Sequence, residues 1–145
     1  MQFSGTHILS APLEQVWTSL LDPEILARIT PGISKLEPVG DNKYTAISNI
    51  KLGPVNGAFK GEIEVADLNE PHSFVLKMKM NSRVGNVSAE GSIALKRIDD
   101  EQTEIDFSGA AKLSGTIARM GQRVLGGVAN AMTQQFFKAL DKELA

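Results

Sequence analysis

Residues 117–140 read IARMGQRVLGGVANAMTQQFFKAL, and their apolar positions recur with the 3.6-residue period of an α-helix. The stripe is broad, and it is formed by Ile117, Met120, Val124, Leu125, Val128, Ala129, Met132, Phe136, Phe137 and Leu140. The pattern predicts a helix of about 28 residues, which would be about 40 Å long. In a chain of 145 residues, only a sheet is wide enough to cover such a stripe.

Between residues 34 and 113 the apolar period changes from 3.6 to two, which predicts strands that are covered on one face. Small or apolar side chains form that face, and Lys, Glu and Asp supply most of the other. The alternating runs are 44–52, 59–65, 74–80, 89–95 and 105–113. Because Gly, Pro, Asn and Asp separate these runs, consecutive strands are expected to pair as antiparallel hairpins in a meander.

The amino-terminal segment adds one strand and two short helices. Residues 2–10 predict a strand, and the helical spacing over 13–21 predicts the first helix. Asp22 is placed to cap a second helix, with Pro23 at its first position. The order strand, two helices, six strands, long helix predicts a single α+β domain over residues 1–145. Its curved antiparallel sheet of six or seven strands would wrap the last helix in a helix-grip fold.

The composition excludes several classes of function. Fifteen Lys and Arg against seventeen Asp and Glu give a net charge of −2, with no block of like charge that would indicate a nucleic-acid partner or a polybasic membrane patch. The absence of Cys excludes disulfides, thiolate metal sites and a cysteine nucleophile. No signal peptide is recognisable, and no apolar run approaches the roughly 20 residues needed to cross a bilayer. These features predict a soluble, cytoplasmic protein.

Candidate catalytic groups are few. His7 and His72 lie far apart in sequence and match no metal-ligand spacing, and there is no phosphate loop, dinucleotide fingerprint or nucleophile elbow. We therefore predict a protein without a metal, a cofactor or catalytic residues. The alternative is a small cyclase, hydrolase or dehydratase, which would require His7, Tyr44 or Asp67 to converge within about 3 Å of one reacting atom.

Graded side-chain volume on the covered sheet face favours an internal binding cavity. Small residues oppose flexible methionines, which adapt to irregular shapes, although ordinary core packing would use the same residues. The small positions are Gly61, Ala89, Gly91, Gly109 and Ala111, and the methionines are Met78, Met80, Met120 and Met132. The predicted ligand-binding residues are Trp17, Leu21, Ile25 and Ile29 at the mouth, Phe59, Ile63, Met78, Met80 and Ile93 on the sheet, and Met120, Val124, Val128 and Met132 on the helix.

A third interpretation makes the outer surface the functional one and the cavity incidental. Arg119 and Arg123 stand four residues apart in the helical pattern and could contact an acidic protein. A solvated helix face is the simpler interpretation of the same two residues.

Several motifs together resemble the CoxG family, which is named after a component of carbon monoxide dehydrogenase and lies within the START/Bet v 1-like (polyketide cyclase-like, SRPBCC) superfamily. They are Phe3-Ser4-Gly5, Ala11-Pro12-x-x-x-Val16-Trp17, Asp22-Pro23-Glu24-Ile25-Leu26-Ala27, Gly53-Pro54-Val55-x-Gly57-x-Phe59-x-Gly61, Gly127-Val128-Ala129 and Gln135-Phe136-Phe137. The resemblance covers essentially the whole chain and implies a helix-grip domain that is accessory to a molybdenum-containing carbon monoxide dehydrogenase or a related hydroxylase.

The same resemblance implies a hydrophobic pocket suited to an isoprenoid quinone or another lipid-like molecule. Longer members of the family end in a hydrophobic tail, which the sequence up to Ala145 does not contain. At most peripheral contact with the inner face of the membrane is therefore expected.

Overall fold

The computed structural model describes the backbone of residues 1–145 and every side chain except that of Leu52. The elements are β1 (Gln2–Leu9), α1 (Leu13–Leu20), α2 (Pro23–Ile29), β2 (Ile33–Gly40), β3 (Lys43–Leu52), β4 (Val55–Asn69), β5 (Ser73–Ser82), β6 (Gly85–Asp99), β7 (Gln102–Leu113), a 3₁₀ turn (Ile117–Met120) and α3 (Gln122–Leu144). These three helices and seven strands confirm the predicted α+β helix-grip fold.

The seven strands form one antiparallel sheet in the order β1-β7-β6-β5-β4-β3-β2, so β1 and β2 are its two edges. The predicted alternation holds along β4, where Phe59 and Val65 are buried while Lys60 and Glu62 are exposed. The sequence left the orientation of β1 open. In the structure its odd-numbered residues face inward, and Ile8 is 55% exposed.

Helices α1 and α2 pack against the end of the sheet where β1 finishes. The side chain of Asp22 accepts a hydrogen bond of 2.9 Å from the Glu24 backbone N–H, and Pro23 stands at the start of α2, as predicted. The hydroxyl of Thr103, which is fully buried, donates to the Ala11 carbonyl oxygen at 2.8 Å. This bond ties the chain entering α1 to strand β7.

The carboxy-terminal helix is shorter than predicted. Residues 117–120 form a 3₁₀ turn, Gly121 has φ 88° and ψ 155°, and α3 contains 23 residues, or about 35 Å of helix. Because that conformation is almost restricted to glycine, Gly121 ends one segment and lets the next start in a new direction. The apolar period continues across the break, which is why the sequence pattern does not reveal it.

The buried residues form two separate hydrophobic clusters. The first joins β1, α1, α2 and the carboxy-terminal half of α3, and contains Leu9, Ala11, Leu13, Val16, Trp17, Leu20, Ile29, Val65, Phe74, Leu95, Ile105, Phe137, Leu140 and Leu144. The second lies under the β3–β4 hairpin, the 3₁₀ turn and the start of α3, and contains Ala46, Ile50, Val55, Phe59, Met80, Ile117 and Leu125. The middle of the inner sheet face lies between them.

Candidate functional site

The inner face of the sheet is incompletely covered between the two clusters. A Cβ atom built on Gly91 would have one described heavy atom within 4 Å, the Ser108 carbonyl oxygen at 3.6 Å, and none from α3. On the helix, Cβ atoms built on Gly126 and Gly127 would meet no described heavy atom within 4 Å. Ile63 and Met78 face the helix but are only half-buried. The sheet and α3 therefore enclose a hollow that their own side chains do not fill.

Aromatic rings cover other small residues on the same face. A Cβ on Gly109 would lie 2.6 Å from the Phe3 ring, and a Cβ on Gly5 would lie 2.7 Å from the Phe107 ring. These glycines give room to a neighbouring strand's aromatic ring, which packs across them. Gly91 receives no such ring, which identifies it as the open part of the inner face.

The structure divides the predicted ligand-binding residues between the two clusters. In the first, Trp17 and Ile29 are buried, and Leu21, Ile25 and Ile93 pack against them. In the second, Phe59 and Met80 are buried, and Ile63, Met78, Met120, Val128 and Met132 pack against them. Val124 belongs to neither cluster and is 38% exposed. The predicted set therefore borders the hollow from both ends, apart from Val124.

Trp17, predicted at the mouth, is only 5% exposed. Its indole N–H donates to a Glu70 carboxylate oxygen at 3.1 Å, and its ring meets that of Phe74 edge-on with centroids 5.7 Å apart. An indole that is hydrogen-bonded and packed in this way anchors α1 to the β4–β5 connection. The four predicted mouth residues lie on this α1–α2 side of the molecule.

An open groove lies on a different side, between the edge strand β1 and α3. We call it the β1–α3 groove; it measures about 1270 Å³ and also reaches the outer face of β6 and β7. Its lining on β1 and β7 includes Met1, Phe3, Gly5, His7, Phe107 and Gly109, and its lining on α3 includes Gly126, Ala129, Asn130, Thr133, Gln134, Phe137, Lys138 and Asp141. None of the thirteen residues predicted from sequence lines it.

Sequence reasoning missed this groove because its position depends on how far the curved sheet carries β1 from the helix. Two of its residues did attract attention in the sequence: His7, as a candidate catalytic group, and Gly126, as one of the glycines in a helical pattern. Nothing local in the sequence indicates that β1 and α3 face each other across an opening.

His7 and Asp141 join the two sides of the groove near its carboxy-terminal end. The His7 Nε2 atom lies 3.1 Å from each Asp141 carboxylate oxygen, and its ring stacks on Phe137 with centroids 4.5 Å apart. Phe107 adds a tilted contact with Phe137 at 5.4 Å. The groove is therefore bridged at this end, and it continues towards Met1 and Gly126 at the other.

The candidate catalytic residues do not converge. His7 on β1 and Tyr44 on β3 are separated by five inter-strand steps of about 4.8 Å along the sheet. Asp67 is exposed at the end of β4, with φ 51°. Among the described residues, no group of three or more His, Cys, Asp or Glu side chains is placed to hold a metal ion. The arrangement is suited to binding through apolar contact.

The shifted pKa values belong to residues outside the groove. A backbone N–H hydrogen bond to its own carboxylate, and then the Arg97 guanidinium, hold the pKa of Glu14 below its usual value. The Glu143 carboxylate, through a hydrogen bond and its charge, raises the pKa of Arg28. Both are surface pairs that join α1 to β6 and α2 to α3. No helix in the described part of the chain is both long enough and apolar enough to cross a membrane.

Comparison with solved structures places this fold among known ones. A conserved protein from Geobacillus kaustophilus is 37% identical, with a TM-score of 0.97 over 99% of this chain and 95% of that one. The ZhuI aromatase/cyclase from Streptomyces sp. R1128 is 15% identical, with a TM-score of 0.72 over 99% and 93%. A START superfamily protein from Mycobacterium smegmatis is 13% identical, with a TM-score of 0.76 over 99% and 96%. The last two show a shared fold alone.

No curated protein sequence matches the chain. The family model for CoxG, a component of carbon monoxide dehydrogenase, matches residues 5–145. That match spans both helices of the first cluster, the whole meander and α3, so it includes every element around the hollow. The chain belongs to the CoxG family, on the START-like helix-grip fold.

Proposed function

We propose that this protein binds an apolar ligand, an isoprenoid quinone or another lipid-like molecule, in the hollow between the concave sheet and α3. The observation that carries the proposal is the open space above Gly91, where only the Ser108 carbonyl oxygen would come within 4 Å of an added Cβ. Apolar cavities bordered by adaptable side chains are where such ligands bind. The β1–α3 groove is the route by which the ligand enters.

Membership of the CoxG family and the START-like neighbours support a ligand-binding or accessory role. The finer proposal is that the protein is a non-catalytic, cytoplasmic accessory of a molybdenum-containing carbon monoxide dehydrogenase or a related hydroxylase. The family's name supports that partner. The separation of His7 from Tyr44 supports the non-catalytic role, because acid–base chemistry requires its groups to converge.

The residues proposed to contact the ligand are those that border the hollow. Ile63, Met78, Met120, Val128 and Met132 pack against the second cluster while staying half-buried. Leu21, Ile25 and Ile93 have the same relation to the first. Trp17, Ile29, Phe59 and Met80 would support these contacts from within the clusters, and Val124 would contact only a ligand that reaches the surface.

The expected affinity follows from the area covered. Burying about 300 Å² of an apolar ligand is worth about 7 kcal/mol before the entropic costs of association are subtracted. Binding in the micromolar range is therefore reachable only if most of that contact is apolar and little of the protein reorders.

The test is a titration of the purified, delipidated protein with decylubiquinone, followed through the fluorescence of Trp17, the one tryptophan in the sequence. We expect saturable quenching in the wild type. We expect it to be lost in Gly91→Leu, whose side chain occupies the hollow, and retained in Ser92→Leu, whose side chain is on the outer face. Organic extraction of the protein as purified, followed by mass spectrometry, would identify the natural ligand. Absence of saturable uptake in the wild type, or equal uptake by both leucine variants, would refute the proposal.

A further inference from the structure

Three segments that are distant in sequence meet at one end of the molecule. They are residues 51–56, 82–86 and 114–124, which contain the β3–β4 turn, the β5–β6 turn, the 3₁₀ turn and the start of α3. The Ile117 N–H donates to the Val84 carbonyl oxygen at 2.8 Å, and the Ser114 N–H donates to the Asn86 carbonyl oxygen at 3.0 Å. We call this end the basic pole.

The basic pole has an unbalanced charge. It contains four of the fifteen Lys and Arg of the chain, namely Lys51, Arg83, Arg119 and Arg123, and none of the seventeen Asp and Glu. The rest of the chain therefore has eleven basic against seventeen acidic residues. All four cationic residues are exposed. Helix α3 adds the positive end of its dipole here and has no acidic residue before Asp141.

The same pole exposes apolar side chains between its cations. Pro54 and Ala118 are exposed, and Val124 is 38% exposed in the first turn of α3. The second hydrophobic cluster lies directly beneath them, through Val55 and Ile117. Cations interspersed with exposed apolar groups are typical of surfaces that lie on anionic lipid.

The pole also adjoins the open end of the β1–α3 groove. Met1 and Gly126, which line that end, lie beside it: the Met1 ammonium donates to the Ala111 carbonyl oxygen at 2.9 Å, and Gly126 follows the pole by two residues along α3. A flat charged surface held against the pole would therefore face the groove.

We propose that the basic pole docks onto an anionic lipid bilayer, so that an apolar ligand passes between the bilayer and the groove without crossing water. A bilayer complements both properties of the pole, because its headgroups attract the cations and its interface accepts small apolar groups without a matched shape. An acidic protein would complement the charge alone. The transfer step rests on the proposed function, but the docking step does not.

The test is sedimentation of the ligand-free protein with vesicles of phosphatidylcholine containing phosphatidylglycerol. Each basic residue near such a surface is worth about fivefold in partitioning, so Arg119→Gln/Arg123→Gln should weaken binding by about 25-fold. The matched control is Lys77→Gln/Lys79→Gln, which removes the same charge from the exposed outer face of β5. Binding should also fall in about 1 M salt, where charges are screened beyond about 3 Å.

Loss of binding in the arginine variant, with the lysine variant and pure phosphatidylcholine vesicles as references, would support the docking surface. Equal loss in both variants, or no binding to phosphatidylglycerol vesicles at all, would overturn it. Arginine-dependent binding to polyglutamate without binding to vesicles would also overturn it, and would assign the pole to an acidic protein. Quinone uptake measured without vesicles separates these outcomes from failure of the proposed function, because it does not involve the pole.

Discussion

Alanine substitution at three inner-face glycines measures how well the space between the sheet and α3 is filled. Gly61, Gly91 and Gly109 lie on β4, β6 and β7, and Gly91 and Gly109 are direct cross-strand partners. An added Cβ would lie 1.8 Å from the Lys79 carbonyl oxygen at Gly61, 2.7 Å from the Glu90 carbonyl oxygen at Gly109, and 3.6 Å from its nearest described neighbour at Gly91. One methyl group thus probes three degrees of crowding.

The expected free energies of unfolding follow those distances. Overpacking a filled site costs about 1–3 kcal/mol and sometimes more, so Gly109→Ala should lose stability within that range and Gly61→Ala should lose about 3 kcal/mol or more. At Gly91 the methyl group meets no obstacle. There, replacing a strand glycine should stabilise the fold by about 0.5–1 kcal/mol, because the unfolded chain loses conformational freedom.

Urea denaturation of the three variants, followed by far-UV circular dichroism, measures these differences from the shift of the midpoint at constant slope. The decisive comparison is between Gly91 and Gly109, because they face the same helix from adjacent strands. If Gly91→Ala destabilises the protein as much as Gly109→Ala, the inner face is filled at both positions, and the reasoning that places a hollow there is wrong.

Three further substitutions test the elements that hold the site in place. Thr103→Val should cost about 1–3 kcal/mol by leaving the buried Ala11 carbonyl without its donor, and Thr103→Ser should recover most of that loss in the same urea assay. Asp22→Ala should cost about 1 kcal/mol by removing the cap of α2, whereas Asp22→Asn should cost little. Because the pKa of Glu14 is lowered in the folded state, its ionised form stabilises the fold above about pH 5, and this contribution is lost as the pH falls through the lowered value. Glu14→Gln should therefore reduce the thermal midpoint at neutral pH and leave it unchanged in acid, where a constant difference at every pH would contradict the assignment to Glu14 and Arg97.

Local patterns predicted the fold because each element has a strong local signal. Side chains alternate along each strand, so the inward position of Phe59 and Val65 follows from sequence once one of them is known to be buried. Asp22 and Pro23 form a start signal whose geometry is satisfied within three residues. Gly121 was harder to interpret, because one residue in an unusual conformation interrupts a helix without disturbing the apolar period on either side.

The groove and the basic pole depend on which distant segments meet, and no local pattern contains that information. On β1, Phe3 and Ile8 compete for the inner face, and only pairing with β7 decides that His7 points towards Asp141. Likewise, Lys51, Arg83 and Arg119 come from separate segments, so a scan for runs of like charge finds nothing. The fold brings them together through its hairpin turns.

The glycines that border the hollow connect stability with function. Gly126 and Gly127 each weaken α3 by about 1 kcal/mol relative to alanine, and a Cβ at either position would contact no described heavy atom within 4 Å. Gly91 likewise lacks a steric reason to be glycine. Close packing therefore does not account for these three residues, although it does account for Gly61 and Gly109. The structure is less stable at these three positions than alanine would make it, and what it gains is volume and access along the sheet and α3, where an apolar ligand would lie.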